Sequence, residues 1–342
     1  MSEPVLRVEN LEVSFQTEEG LVKAVNGVSF ELAAGEVLAI VGESGSGKSV
    51  TTMSLMGLTR SSNARFGGKA YLGESELIGA TDATLRAVRG AEIAMIFQDP
   101  MTAMNPVQRV GKQIAEQIQA HEKVSDDDAR TRVIDLLHRV GIPQAETRVD
   151  SYPHEFSGGM RQRAMIAMAL SCDPQVLIAD EPTTALDVTI QAQILDQIKL
   201  LSERTSAAVI IVTHDLGVVA DMADRILVMY AGRVVEAGTA EEIFYNPQHP
   251  YTWGLLGSVT RVDQELTDRL PAIKGLPPSL LDLPAGCSFA PRCPHRHDRC
   301  AEMPPLEARA GGTHLDRCWI DPATREAARM VDGRIGLEQG VA

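Results

Sequence analysis

The most constraining feature of this chain is an eight-residue segment, Gly42-Glu43-Ser44-Gly45-Ser46-Gly47-Lys48-Ser49. It fits the pattern G-x-x-x-x-G-K-S/T and directly follows the apolar run Val37–Val41, which is typical of a buried strand. Glycines let the backbone curl so that successive N–H groups point inward, and the helix that follows adds roughly half a positive charge at its N-terminus. The pattern therefore predicts a strand, a phosphate-binding loop and a helix that together bind ATP or GTP.

Individual side chains of this segment have separate predicted roles. Lys48 is placed to reach the β- and γ-phosphates of the nucleotide. Ser49 offers a hydroxyl to Mg²⁺, which bridges the same two phosphates and offsets the charge that builds up during phosphoryl transfer. We assign nucleotide contacts to the loop and the start of its helix, namely Gly42, Ser44, Gly45, Ser46, Gly47, Lys48, Ser49 and Val50.

Composition and charge narrow the classes of protein to which this chain can belong. The 342 residues suffice for about two domains, and a hydrophobic content of 44% supplies a core. The formal net charge of −14 has the wrong sign for binding a phosphate backbone, so we predict no nucleic-acid partner. The sequence lacks an apolar run of about 18 residues and a signal-peptide pattern at its start, so we expect a cytosolic chain.

Two kinds of apolar patterning predict two kinds of strand. Residues 5–15 and 27–32 alternate between apolar and polar positions, as antiparallel strands with one solvated face do. The runs 37–41, 176–179 and 209–212 are uninterrupted and are separated by helical patterns, as in a parallel sheet covered on both faces. The fold class is therefore predicted to be α/β, with a parallel core and an antiparallel β-subdomain.

The remaining segments predict a helical subdomain and a C-terminal extension. Apolar spacings of three and four over about 105–170 indicate helices, of which one stops at Gly141-Ile142-Pro143 and another begins at Ser157. Residues 224–238 return to strand-like alternation around a turn at Ala231-Gly232. After residue 245 prolines become frequent and periodicity disappears, which predicts an irregular extension. We therefore predict a nucleotide-binding domain over 1–245 and an extension over 246–342.

Two adjacent acids, Asp180 and Glu181, end the buried run 176–179. Ligands of open α/β sheets bind at the carboxyl ends of the strands, and consecutive side chains of a strand point to opposite faces. Asp180 can therefore approach Mg²⁺, while Glu181 can face the γ-phosphate and orient or deprotonate the attacking water. A general base of this kind makes Glu181 a predicted catalytic residue.

A second anion site is predicted where the segment Phe156-Ser157-Gly158-Gly159-Met160-Arg161-Gln162-Arg163 opens a helix with a hydroxyl and two glycines. This segment resembles the signature sequence of ATP-binding-cassette (ABC) ATPases. The resemblance implies a P-loop NTPase core and a head-to-tail pair of such domains. In that pair Ser157, Gly158 and Gly159 of one domain close over the nucleotide of the other.

The same resemblance implies roles for residues outside these segments. Gln98 contacts Mg²⁺ and the catalytic water and senses the membrane subunit, while His214 holds the γ-phosphate. Asp187 communicates across the dimer, and Phe15 stacks on adenine. The implied catalytic residues are therefore Glu181, His214 and Gln98, and the implied Mg²⁺ ligands are Ser49, Gln98 and Asp180.

Two departures from the generic signature, Phe156 for leucine and Met160 for glutamine, indicate a branch of the family. With Asp99-Pro100-Met101-Thr102-Ala103-Met104-Asn105-Pro106 and His249-Pro250-Tyr251-Thr252-Trp253-Gly254-Leu255-Leu256, they resemble the ATPases of bacterial dipeptide and oligopeptide importers. That resemblance implies a second, paralogous ATPase subunit, two transmembrane permease subunits, an indirect link to an extracytoplasmic solute-binding protein, and a peripheral location on the cytoplasmic face of the inner membrane. Import of nickel, glutathione or another small solute is an alternative, as is a non-transport ABC ATPase.

Four cysteines crowd the extension at Cys287, Cys293, Cys300 and Cys318, with intervals of five, six and seventeen residues. These intervals are too loose for the paired C-x-x-C knuckles of structural zinc sites, and disulfides are not expected in a reducing compartment. Four thiolates suit a 4Fe-4S cluster, and the importer family's C-terminal segment, which this extension resembles, carries one in some members. Zinc with a histidine ligand and four buried reduced thiols are the alternatives.

Overall fold

The computed structural model describes residues 3–99, 103–182, 191, 194–195, 198–200, 206–258, 273–308 and 312–331. Asp187, the residue assigned to communication across the dimer, lies outside these ranges. Within them the chain folds into two sheets with helices packed on them, which confirms the predicted α/β class.

The smaller sheet is antiparallel and has the strand order β2-β1-β4-β5. Its strands are β1 (Leu6–Thr17), β2 (Gly20–Leu32), β4 (Ala64–Leu72) and β5 (Ser75–Glu76). Alternating exposure along β1 confirms a strand with one solvated face. Thr17 pairs with Gly20, so β2 begins seven residues before the alternating segment 27–32. Register shifts between β1 and β2 interrupt the apolar alternation, so the sequence did not indicate the first part of β2.

The larger sheet carries the predicted parallel core, in the order β11-β12-β10-β9-β3-β8-β7-β6. Strands β9, β3, β8, β7 and β6 are parallel, so their carboxyl ends lie along one edge of the sheet. The bounds are β3 (Val37–Val41), β6 (Ile93–Ile96), β7 (Val176–Asp180), β8 (Ala208–Thr213), β9 (Arg225–Tyr230), β10 (Arg233–Thr239), β11 (Glu307–Ala308) and β12 (Leu315–Asp316). Strands β4 and β6 were not predicted.

The helices with described bounds are α1 (Lys48–Leu55), α2 (Asp82–Val88), α3 (Val110–His121), α4 (Asp126–Arg139), α5 (Ala145–Arg148), α6 (Gly158–Ala169), α7 (Leu216–Met222), α8 (Ala240–Tyr245), α9 (Pro250–Gly257) and α10 (Pro322–Val331). Helices α3 to α6 occupy the segment predicted to be helical. Gly141, at a φ of 74°, follows the end of α4, and the Ser157 hydroxyl accepts a hydrogen bond from the Met160 N–H at the start of α6. No described helix is long and apolar enough to cross a bilayer.

The extension after residue 245 is more regular than predicted. Helix α9 starts five residues later, and β12 adds antiparallel pairing to β10 of the larger sheet. Tyr251 and Trp253 of α9 are buried, and Tyr251 and Phe289 share a core cluster with β3, β9 and α7. A helix buried on most of its faces has no amphipathic period, which is why its sequence did not indicate it.

Candidate functional site

The phosphate-binding loop follows β3 and has a backbone that only glycine permits at two positions. Gly47 has a φ of 100°, and a Cβ there would lie 2.3 Å from the Ala24 carbonyl oxygen. A Cβ on Gly42 would lie 2.2 Å from the carbonyl oxygen of Met229 on β9. Strands β2 and β9 therefore press on the loop from outside, and any side chain at these two positions would displace it.

Two polar groups of the loop, on Lys48 and Ser46, are buried. The Lys48 ammonium donates to the carbonyl oxygens of Gly42 and Glu43, at 2.8 and 3.0 Å. Burial lowers the pKa of Lys48, and the carboxylates of Glu181, Asp180 and Glu43 oppose that shift. The Ser46 hydroxyl is buried and has no hydrogen-bond partner in the described part of the chain. A buried, unpartnered hydroxyl and a buried cation fit a loop that receives a polyanion.

A hydroxyl and a carboxylate meet beside the loop. Ser49 donates a 2.9 Å hydrogen bond to Asp180 Oδ1, which joins the first turn of α1 to the end of β7. Burial raises the pKa of Asp180, as does the charge of Glu181, while the Ser49 hydrogen bond and Lys48 lower it. Hydroxyl and carboxylate oxygens are the ligands that Mg²⁺ takes from proteins, so this pair fits the predicted metal site.

The three residues predicted to be catalytic lie together. Gln98 Nε2 donates to Glu181 Oε2 at 2.9 Å, and His214 Nδ1 lies 3.2 Å from Glu181 Oε1. They come from the ends of three different strands, β6, β7 and β8, which are neighbours in the larger sheet. Glu181 has a φ of 46°, an unusual backbone conformation for a residue other than glycine, and its N–H donates to the Val212 carbonyl.

An open cleft of about 480 Å³ lies at the mouth of the loop. Residues from the core and from the extension line it: Gly42, Glu43, Ser44, Glu181, His214, Leu255, Ser258 and Ile273. The core contributes the loop and two of the three catalytic candidates. The contribution of Leu255, Ser258 and Ile273, which follow residue 245, was not predicted.

The other predicted nucleotide contacts lie at several distinct places. Phe15 and Val50 are half-buried and pack against the core cluster of β1, β2 and β3. Ser157 and Gly158 are exposed at the start of α6, where a Cβ on Gly158 would meet no atom within 4 Å. Such exposure leaves room for another molecule at the signature segment, and the contacts of these residues with nucleotide stay predictions.

Comparison with known proteins identifies the family. A family model described as ABC transporter matches residues 25–184, and one described as the C-terminal region of oligopeptide/dipeptide transporters matches residues 235–300. The dipeptide transport ATP-binding protein DppD of Bacillus subtilis (strain 168) is 53% identical over 327 residues, which are 95% of this chain and 97% of that protein. The chain belongs to the ATP-binding proteins of the ABC oligopeptide and dipeptide transporter family.

Further relatives and solved structures agree with this family. The oligopeptide transport ATP-binding protein OppD of Escherichia coli (strain K12) is 51% identical over 306 residues, 90% of each chain. The dimeric ATP-binding cassette MJ0796 bound to ADP and Pi superposes with a TM-score of 0.62 at 25% identity, covering 69% of this chain and 98% of that one. CbiO1 from Clostridium perfringens superposes with a TM-score of 0.60 at 29% identity, covering 72% of this chain and 92% of that one. The protein is an ATP-binding ATPase of the ABC type.

The four cysteines of the extension do not form a recognisable metal site in this ATPase. No group of three or more His, Cys, Asp or Glu side chains within the described ranges is arranged to hold a metal ion. Burial raises the pKa of Cys293 to about 12 and of Cys318 to about 11, and it also raises the pKa of Cys287. The iron–sulfur hypothesis therefore has no support in this structure. The remaining cysteine, Cys172, is half-buried, with its thiol 3.8 Å from the Gln117 carbonyl oxygen.

Proposed function

We propose that this ATPase energises the import of dipeptides or oligopeptides through transmembrane permease subunits, as the peripheral subunit on the cytoplasmic face of the membrane. ATP hydrolysis at this site is supported by the contact of Glu181 with both Gln98 and His214 beside the loop. The peptide part is supported by the match of residues 235–300 to the peptide-transporter C-terminal region and by relatives whose names specify dipeptide and oligopeptide transport.

The chemistry follows from the arrangement of the strand ends. Glu181 accepts a proton from the attacking water while Gln98 and His214 orient it and the γ-phosphate. The carboxylates of Glu181 and Asp180 favour the charged form of Lys48, which balances the phosphate charge. Ser49, Asp180 and Gln98 would hold Mg²⁺, which would offset the negative charge of the phosphates.

A second ATPase subunit completes the proposed site. Ser157 and Gly158 are exposed at the N-terminus of the 12-residue helix α6, and that terminus carries partial positive charge. In a head-to-tail pair they would contact the nucleotide held by the other subunit, and MJ0796 is itself described as dimeric. We propose a paralogous partner that carries its own loop and signature segment.

The permease contact is proposed for a cleft of about 230 Å³ between the core and the helical segment. Apolar and methionine side chains dominate its lining, including Met56, Met95, Phe97, Met165 and Met168. Phe97 is adjacent to Gln98 and the backbone continues into that catalytic residue. A permease helix in this cleft would therefore contact the residue next to Gln98, whose side chain donates to Glu181.

Transport assays on the assembled complex test this function. We expect ATP-dependent accumulation of dipeptides or oligopeptides in proteoliposomes that contain this chain, its partner ATPase and the permeases. The solute-binding protein is added to the same assay. Glutathione and Ni²⁺ are assayed in parallel as alternative cargo. Uptake of either of these without peptide uptake would contradict the peptide proposal, and peptide uptake that continues without ATP hydrolysis would contradict the energising role.

A further inference from the structure

The phosphate-binding loop is tied to the extension through one of its own variable positions, Glu43. Arg292 donates two hydrogen bonds to the Glu43 carboxylate, Nη1 to Oε2 at 2.6 Å and Nη2 to Oε1 at 3.0 Å. The Glu43 N–H donates to the Tyr251 hydroxyl at 2.8 Å. Its carbonyl oxygen accepts from Lys48, at 3.0 Å. The Ser46 N–H donates to the same carbonyl oxygen, at 3.2 Å. Every polar group of this loop residue is therefore engaged, and two of its four partners belong to the extension.

Arg292 is held in place independently of the loop. Its remaining donors reach the Lys274 and Ile273 carbonyl oxygens, at 3.1 and 3.2 Å, and the Tyr230 hydroxyl, at 3.3 Å. Its side chain is only 4% exposed, and its pKa is raised chiefly by the hydrogen bonds that it donates to Glu43. A guanidinium fixed by so many acceptors presents its two remaining N–H groups to the loop in a single orientation.

Aromatic packing fixes the second partner. Tyr251 is fully buried, and its ring centre lies 4.5 Å from that of Tyr230 and 5.4 Å from that of Phe289. Tyr230 ends β9 and Phe289 belongs to the extension, so this group of rings connects the core sheet to the extension. The hydroxyl that accepts the Glu43 N–H is thereby prevented from moving independently of the core.

The charge of Glu43 requires this arrangement. Its charge opposes the lowering of the Lys48 pKa by burial, and the residue borders the cleft into which the phosphates must pass. Without a counter-charge it would compete for Lys48 and repel the incoming polyanion. We propose that Arg292 is a positioning residue of the nucleotide site, which neutralises Glu43 and holds it away from Lys48, so that the extension sets the affinity of the loop for ATP.

The charge mechanism predicts opposite effects for the two members of the pair. We expect Arg292→Gln to raise the Kd for ATP and the KM about tenfold while kcat changes less than twofold, because an uncompensated negative charge opposes binding. Glu43→Gln removes that charge and should give a KM no higher than that of the unaltered protein. The double variant Arg292→Gln/Glu43→Gln should recover a KM within about threefold of that of Glu43→Gln.

ATP itself is the probe, with Kd measured by calorimetry on the full chain and KM and kcat measured on the assembled transporter. Arg296→Gln is the matched control, because Arg296 is an exposed arginine of the same segment, four residues away. Thermal unfolding is recorded for every variant. A KM for Arg292→Gln within twofold of that of Arg296→Gln overturns the proposal. A double variant that binds ATP as weakly as Arg292→Gln also overturns it, since support of the fold alone would not be restored by removing the opposing charge.

Discussion

The nucleotide loop and the C-terminal extension meet at one site but are built in opposite ways. The loop takes its shape from eight consecutive residues, and its lysine bonds to carbonyls five and six positions away. The extension contacts that loop through residues 208 and 249 positions distant, Tyr251 and Arg292. A short motif is visible in the sequence because its parts are contiguous, whereas the extension acquires its role only when the chain has folded.

The two regions also differ in what stabilises them. The loop lies against β2 and β9 and depends on glycines at positions that allow no Cβ. The extension is attached to β10 by buried ionic groups, since fully buried Glu236 accepts hydrogen bonds from the Gln248 and His249 N–H groups, at 2.6 and 2.9 Å, and lies 2.7 Å from His314 Nε2. Steric fit at the glycines therefore determines the conformation of the loop, whereas buried charged groups attach the extension to the sheet.

The largest effect is expected where the strand ends meet. Glu181→Gln keeps the shape of the side chain but removes the proton acceptor, so turnover should fall by about a hundred- to ten-thousand-fold while ATP binding persists. Steady-state ATP hydrolysis and the Kd for ATP are measured on the same preparation, so that binding serves as the internal control. Turnover above a tenth of the original rate would contradict the assignment of the base.

A pair of glycine substitutions tests whether shape controls the loop. Gly45 and Gly47 both have positive φ, 77° and 100°, but a Cβ on Gly45 meets nothing within 4 Å whereas one on Gly47 would meet the Ala24 carbonyl at 2.3 Å. We expect Gly47→Ala to weaken ATP binding by at least about tenfold more than Gly45→Ala, since both carry backbone strain and only one adds the clash. Equal losses of affinity would show that backbone strain alone matters.

Removing a buried charge tests the attachment of the extension. Glu236→Gln replaces one acceptor oxygen with a donor that faces another donor, and we expect it to lower the free energy of unfolding by about 2–4 kcal/mol. Denaturant titration measures the change. Glu241→Gln, at an exposed position of α8, is the matched control and should change stability by less than about 0.5 kcal/mol. Equal stability of the two variants would contradict the importance of the buried carboxylate.

A smaller effect is expected from pH. Burial opposes the charge of His314, but its hydrogen bond to Glu236 and the charges of Glu236, Glu242 and Asp316 raise its pKa above the ordinary value. Because the folded-state pKa is the higher one, this contribution is complete below the unfolded pKa of about 6.5 and is lost as pH rises through the folded pKa. Between pH 6 and 9 the unaltered protein should therefore lose more stability than His314→Gln does, as measured by denaturant titration at each pH. The same pH dependence of stability in both proteins would contradict a raised pKa of His314 in the folded state.

The sequence predicted the catalytic region better than it predicted the surrounding fold. Lys48, Ser49, Asp180 and Glu181 lie where the motif and the buried strands indicated, and His214 lies at the end of β8, next to Glu181. The role of His214 had come from the family resemblance. Strand β6 escaped notice because four apolar residues, Ile93–Ile96, form too short a run to be distinguished from a helical segment. Because β6 was not predicted, the predicted sheet did not indicate the position of Gln98. Only the family resemblance indicated a role for this residue.

The contacts of Arg292 had no sequence signal at all. An arginine between Pro291 and Cys293 in a proline-rich segment gives no indication that its partner is a loop glutamate near the other end of the chain. The four cysteines are the opposite example, in which a sequence signal had no counterpart in the structure. Their crowding suggested an iron–sulfur cluster, but the described residues do not form a metal site. Iron and sulfide analysis of anaerobically purified protein is the direct measurement for that hypothesis.

The sequence by itself determined the triphosphate loop and the acids that serve it, because backbone curvature and strand-end chemistry are properties of neighbouring residues. Only the tertiary structure decided that Gln98, Glu181 and His214 converge, and that Arg292 and Tyr251 reach the loop. Those contacts depend on the order of strands in the sheet and on burial of the extension against β9 and β10. Such order arises from packing across the whole molecule, which no local pattern encodes.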